Sequence, residues 1–459
     1  MRRFIGDRAF YRRVMAVALP LIVQNAITNF VSLLDNIMVG QVGTLQMNGV
    51  SIVNNLLFVF NLCIFGAVSG AGIFTAQYHG SGNVEKVRDT FRFKVLTCLA
   101  MTAAGLLIFG FGGGALIDLY LQGEGLAADI EATRQYGLDY LAAMMVGLLP
   151  FALANSYSST LRETGHGTVP MLAGIAAVLV NLCLNYVLIF GKFGAPALGV
   201  MGAAWATVIA RVTEFAIVAV WTHVHADKAE FIRGAYRSFR IPVELLKAIV
   251  RKGLPLLMNE AVWSVGVAVL NQCYSTRGLD VVAALNISSA ITNMTSVVYL
   301  SIGNSVGILM GQMLGAGCTA QEAKDANRKM FALGVGSCFI FGTLLVSLSG
   351  VFPQLYVTTP EVRRLATVLI CITASIMPFN AYSHASYFTL RAGGQTGVTF
   401  LFDSVYIWVC CVSVAFILSR FTTIPIIPMY WIIHIADYLK PLLGYFMLRK
   451  GTWIRNLTE

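Results

Sequence analysis

The fold class this sequence predicts is an all-α integral membrane protein: twelve transmembrane helices in two six-helix lobes. Three observations carry the prediction. Of 459 residues, 57% are hydrophobic and only 12% charged, against roughly 25% charged in a soluble chain. Apolar stretches long enough to cross a bilayer, about 20 residues each, recur along the whole length. The third observation is internal repetition. Leu19-Pro20-Leu21 returns as Leu254-Pro255-Leu256 and Gly43 as Gly278. In the same frame Gly72, Gln77, Gly80 and Gly82 become Gly307, Gln312, Gly315 and Gly317. At a slightly shorter offset, Pro150-Phe151 returns as Pro378-Phe379 and Thr160-Leu161-Arg162 as Thr389-Leu390-Arg391, with Gly165 returning as Gly394. Apolar matches arise by chance, but Pro, Gln, Arg and Gly held in one register mark a duplication.

Taken in order, polar and glycine breaks place the spans at residues 14–39, 47–78, 95–121, 137–160, 169–190 and 200–221 in the first half. The second half gives 249–274, 282–315, 331–352, 365–389, 398–418 and 424–447. The first span carries Pro20 near its start and one carboxylate, Asp35. The second and eighth are too long to stand upright, which predicts tilt or bending. The seventh repeats the proline as Pro255 and carries Glu260 near mid-membrane. Pro20 and Pro255 each free a carbonyl one turn upstream, a place either for a packing bend or for gating flexibility. Between the halves lies a basic linker, residues 223–248, which divides the chain into an N-terminal lobe, 1–222, and a C-terminal lobe, 249–459. An even number of spans per repeat gives both copies one orientation. Such parallel repeats are related by a pseudo-two-fold axis along the membrane normal, with substrate sites at the repeat interface.

The net charge of +10 would suit a nucleic-acid binder, but its distribution argues for topology instead. With the N-terminus inside, the cytoplasmic segments hold 24 of the 32 Lys and Arg, external loops hold six, and only Arg211 and Lys440 fall within spans. That asymmetry predicts a multi-pass protein of the cell (plasma or inner) membrane with both termini cytoplasmic. The apolar run after the basic N-terminus is too long for a cleavable signal peptide. Nine cysteines lie mostly in apolar runs without CxxC or Cys/His spacing, so neither disulfides nor a zinc site is expected.

The motifs that emerge from this pass are LPLIVQN, LLDNIMVGQVG, the glycines Gly66, Gly70 and Gly72 running into AQYHGSG, LRETGHGTVP, NLCLN, GAAWAT and LRAGGQT. As a set, spanning residues 14 to 455, they resemble the MATE (multidrug and toxic compound extrusion) transporters. The resemblance implies a monomeric secondary antiporter that works by rocking-bundle alternating access. It would export cationic, amphipathic organic compounds in exchange for Na⁺ or H⁺, with no other cofactor. It also implies an N-lobe cation site on Asp35, Asn181, Asn185 and Thr207, with Asp35 as the Na⁺ ligand. This chain carries Asn185 where many members carry Asp, one carboxylate fewer. In one branch of the family a C-lobe site uses an acid matched by Glu260 and an Asp whose place is taken here by Gln395; Asp403 follows eight residues on.

Each ionisable residue admits a plainer reading as well. Asp35 lies about 6 Å below the outer interface, at 1.5 Å per residue. There it is either a coupling-ion ligand or a carboxylate that holds helices together. A charge at that depth is costly, and hard cations favour oxygen donors such as Asn and Thr. Glu260, with no basic residue in its own span, reads as a substrate or proton site, or as a structural hydrogen-bond partner. Asp437 shares a helix face with His434 and Lys440, which predicts an Asp437–Lys440 pair or a relay through His434. Arg211 and Glu214, three apart, predict a self-neutralising pair. Arg162 and Arg391, at repeat-related turns, read as snorkelling helix ends, with a gating contact as the alternative.

Other functions compete. A lipid-linked sugar flippase, or an exporter of an endogenous metabolite from the same superfamily, shares the architecture. The mid-membrane charges here are mainly acidic, which favours cationic cargo. A membrane-embedded enzyme needs a nucleophile–base or metal constellation. The six histidines supply no HExxH, and no Walker A sequence is present. The expected partners are therefore organic cations and the lipid bilayer, without nucleic acid.

Overall fold

A computed structural model describes residues 4–121, 127–356 and 358–458, apart from the side chains at positions 32, 33, 36, 37, 40, 44, 127 and 279. In chain order the helices are α1 (Arg8–Gly40), α2 (Thr44–Gly80), α3 (Val84–Tyr120), α4 (Ala127–Val146), α5 (Leu148–Glu163), α6 (Thr168–Phe190) and α7 (Val200–Val224). They continue as α8 (Val243–Ser275), α9 (Leu279–Gly315), α10 (Ala320–Leu348), α11 (Pro360–Ala392), α12 (Thr396–Phe400), α13 (Ser413–Phe421) and α14 (Ile426–Arg449). The protein is an all-α, multi-pass membrane protein whose twelve spans fall into two helical units. Large apolar side chains such as Leu107, Ile108 and Phe111 on α3 face outward, as lipid contact requires.

Ten helices are long and apolar enough to cross a membrane among the described residues. The expected span at 137–160 departs from a single helix: α4 and α5 meet at a 45° bend. The break falls at Gly147, where an added Cβ would press on the Arg211 and Val208 side chains at 3.2 Å. Pro150, three residues on, has no N–H to close the turn across the break. The span at 398–418 is also irregular, because π-helical turns at Leu401–Val405 and Ile407–Val412 separate α12 from α13. Helix α14 corresponds to the expected twelfth span, 424–447, and carries Asp437 and Lys440 inside its length.

The two compact units do not follow the chain halves divided at 223–248. The C-terminal unit comprises Met1–Ile22, Ala76–Gly82 and Arg251–Glu459; the N-terminal unit comprises Val23–Thr75 and Asn83–Val250. Helix α1 runs unbroken past the buried Pro20, and its membership changes two residues later. Within the C-terminal unit, Val14 of α1 joins Ile302, Val306, Met310 and Met330 in the core. Segment 76–82 belongs there through a repeat-related crossing. A Cβ on Gly80 would strike the Gln312 carbonyl, and a Cβ on Gly315 would strike the Gln77 carbonyl. The duplicated Gln and Gly residues therefore meet as pairs, and glycine lets the backbones touch. The Gln77 amide also bonds the Ala392 carbonyl at 2.8 Å and receives the Leu457 N–H at 2.6 Å, tying down the C-terminal tail.

The basic linker is a packed element and not an open tether. In the N-terminal unit its short 3₁₀ turn, Glu230–Ile232, buries Phe231 and Ile232. Arg92 on α3 donates to the Ala235 and Gly234 carbonyls at 2.7 and 2.8 Å, and Arg88 donates to that of Phe231 at 3.3 Å. Tyr236 hydrogen-bonds Tyr157. The linker's last basic residue, Lys247, is already helical in α8, as are Arg251 and Lys252 just beyond it.

Candidate functional site

In the N-terminal unit, α6 and α7 form a hairpin that creates the site. Gly191 caps α6 in the left-handed region (φ +65°), and the Leu198 N–H returns to the Leu188 carbonyl at 2.8 Å. A Cβ on Gly202 would lie 2.5 Å from that same carbonyl. Glycine and the alanines that follow thus let α7 lie directly on α6. Asn181 and Asn185, four residues apart, share one face of α6. Opposite them stands Thr207 of α7, whose hydroxyl donates to the Ala203 carbonyl at 3.0 Å.

The four residues that the family resemblance implied form one connected cluster. The Asn185 amide donates to Asp35 Oδ1 at 2.7 Å and to Asn181 Oδ1 at 3.1 Å. The Asn181 amide donates to the Thr207 hydroxyl at 3.2 Å. Turned by 180°, it donates instead to both Asp35 oxygens at 2.9 and 3.0 Å, while its own oxygen accepts from Thr207. The turned orientation suits the bare carboxylate better, because it supplies two amide donors to one anion. Among the described residues no cation neighbours Asp35. Asn185 is 1% exposed and its Oδ1 has no hydrogen-bond partner. Such an orphan acceptor is costly unless the site also serves another state. Rotating the amides would turn neutral oxygens toward anything positive held by Asp35, a hard cation or a proton. That change needs no helix movement.

The C-terminal unit also gathers polar groups, but with different pairings from those the sequence offers. Lys440 donates to Asp403 Oδ1 at 2.7 Å, across from α14 to the π-helical stretch. Asp437 pairs instead with His434 Nδ1 at 2.6 Å. The expected Asp437–Lys440 pair is therefore not formed. The local i,i+3 spacing gave Lys440 one acid, and packing supplied a second that it bonds. Asn259, 1% exposed, donates to Asp403 Oδ2 at 3.1 Å, and its own Oδ1 accepts from Ser404 at 2.7 Å. Glu260, next to Asn259 on α8, lies in the electrostatic reach of Arg391 and Asp403. Gln395 lies elsewhere: its amide bonds the Thr452 carbonyl at 3.1 Å, at the tail.

The remaining residues divide as follows. Arg391 lies 5.4 Å from the Phe388 ring. Arg162 stays half-buried at the end of α5, beside the buried Glu163. Arg211 and Glu214 make no direct ion pair; the guanidinium stands over the Phe151 ring at 4.8 Å and reaches the Gly147 carbonyl at 3.5 Å. Pro255 sits within an unbroken α8. Sequence reading missed Asn259 and Ser404, although the Asn259-Glu260 dipeptide in an apolar helix was a usable signal. It also did not foresee the burial of Lys94. Lys94 is fully buried on α3, bonded to Glu163, to Ser159 at 3.1 Å and to Thr160 at 3.2 Å.

Comparison with known proteins adds the following. A model of the MatE family matches residues 20–187 and 255–421. The chain is 26% identical over 454 residues to the "Probable multidrug resistance protein YoeA" of Bacillus subtilis, covering 96% of this chain and 94% of that protein. It is 24% identical over 449 residues to the "Probable multidrug resistance protein NorM" of Thermotoga maritima, covering 96% and 93%. A solved structure described as the outward-facing conformation of a multidrug resistance MATE family transporter superposes with a TM-score of 0.87 at 17% identity, over 98% of this chain and 97% of that one.

Proposed function

This chain belongs to the MatE family, and from that premise we propose that it exports organic cations in exchange for Na⁺ or H⁺. The observation that carries the proposal is the Asp35 cluster: a carboxylate inside a membrane span with no cationic neighbour among the described residues, bonded by the Asn185 amide, whose own oxygen has no hydrogen-bond partner. The relatives named as multidrug resistance proteins favour small-molecule cargo.

Asp35 is the group that changes charge. When it is empty, Asn181 and Asn185 donate to it; when it holds Na⁺ or H⁺, their oxygens turn inward and Thr207 completes the set. An ion drives cargo only if it binds the inward-open and outward-open states with different affinity. The amide rearrangement gives the cluster two internal arrangements on which such a difference can rest. Rocking-bundle alternating access would then expose the site to each side in turn, with both termini in the cytoplasm.

Reconstitution in liposomes tests the proposal. A fluorescent organic cation is expected to leave its compartment when an opposing Na⁺ or H⁺ gradient is imposed, and to stop when an ionophore collapses that gradient. Failure of the wild-type protein to move the cation under either gradient would remove the antiport reading and turn attention to anionic or lipid cargo.

A further inference from the structure

The two units each hold a carboxylate bonded by an asparagine amide with a hydroxyl close by. In the N-terminal unit a carboxylate, Asp35, is bonded by the Asn185 amide, with the Thr207 hydroxyl behind. In the C-terminal unit a carboxylate, Asp403, is bonded by the Asn259 amide, with the Ser404 hydroxyl behind. Among the described residues, the second alone contains a resident cation. Lys440 Nζ lies 2.7 Å from Asp403 Oδ1, and the rings of Phe402 and Tyr406 stand 5.3 and 5.7 Å away. A carboxylate and two aromatic faces are surroundings that hold an ammonium charge in a dry site.

The pair is also well enclosed. The Lys440 and Asp403 side chains are 16% and 17% exposed. The cost of burying either charge alone is met by the other. The nearest alternative acid on α14, Asp437, is engaged by His434. The π-helical turn at Leu401–Val405 contributes to the arrangement, since Asp403 and Ser404 are consecutive and yet both reach Asn259.

The geometry points to Lys440 as a tethered cation that permanently occupies the monovalent-cation site of the C-terminal unit. Asp403 is thereby closed to Na⁺ and H⁺. The inference goes beyond the antiport reading and does not need it, because it concerns equilibrium occupancy of Asp403 and not transport.

The test counts cations bound by the purified protein, using ²²Na⁺ binding together with potentiometric proton titration. Both are carried out in an Asp35→Asn background so that the N-terminal unit contributes nothing. Lys440→Met is expected to bind one monovalent cation, Na⁺ or H⁺, that the Asp35→Asn parent does not. Lys440→Arg, which keeps the tethered charge, is expected to match the parent. Lys440→Met combined with Asp403→Asn is expected to return to the parent count, placing the new cation on Asp403. A folded, monodisperse Lys440→Met protein with no added cation would overturn the assignment. So would an added cation that persists in the Asp403→Asn combination. Because the counts are made without cargo or a gradient, failure of the transport reading leaves them unaffected.

Discussion

Asp35→Asn is expected to reduce gradient-driven export to the level of empty liposomes, while the purified protein keeps its thermal stability. The substitution is nearly isosteric, and an amide can still accept from the Asn185 amide, which lies 2.7 Å from Asp35 Oδ1. What it removes is the charge. A neutral side chain has no reason to take up Na⁺ or H⁺, so the gradient loses its differential hold on the two conformations. Downhill movement of the organic cation is expected to survive in this variant, because the cargo itself is not asked to change. The measurement is efflux of a fluorescent cation with and without the imposed gradient, compared between the two proteins. Gradient-driven efflux that persists in Asp35→Asn would move coupling away from the N-terminal unit.

The second large effect is on stability. Lys94→Met is expected to cost about 3–5 kcal/mol, the range for removing one partner of a buried ion pair. The ammonium is fully buried and bonded to Glu163, Ser159 and Thr160. The site is fitted to the charged pair, because a Cβ on Gly72 would collide with the Glu163 carboxylate. Combining Lys94→Met with Glu163→Gln is expected to recover most of the loss, since a neutral pair carries no uncompensated charge. Denaturation of the detergent-solubilised single and double variants reads both quantities. Equal loss in the single and double variants would show that packing, not charge, dominates this position.

The repeat was legible because Pro20, Gln77, Gly80 and Arg162 have counterparts at Pro255, Gln312, Gly315 and Arg391 that apolar drift would have erased. Asp35 was legible for a simple reason: a lone acid in an apolar span is expensive. Its companions Asn181, Asn185 and Thr207 came only through resemblance, because uncharged polar residues are common in membrane helices. The bend at Gly147 was hidden, since the apolar character continues unbroken through Pro150. The π-helical turns around Asp403 leave no mark in hydropathy. Helical spacing misled at Lys440 by offering Asp437, where the fold supplied Asp403 from another helix. The burial of Lys94 was hidden because α3 begins at Val84, well before the apolar run that marked the expected span. The packing of the linker was likewise invisible, since it depends on Phe231 finding the Phe91 ring 5.2 Å away in the fold.

The central claim is that ion occupancy at Asp35 and cargo binding are linked. Equilibrium binding of a fluorescent organic cation to the purified protein tests it directly, titrated with and without saturating Na⁺ and across pH. Linkage requires that whatever the ion does to cargo affinity, cargo does equally to ion affinity. The account predicts that Na⁺ or H⁺ weakens cargo binding to the wild-type protein and leaves Asp35→Asn unchanged. Cargo affinity indifferent to both ions in the wild type, or the same ion dependence retained in Asp35→Asn, would contradict it.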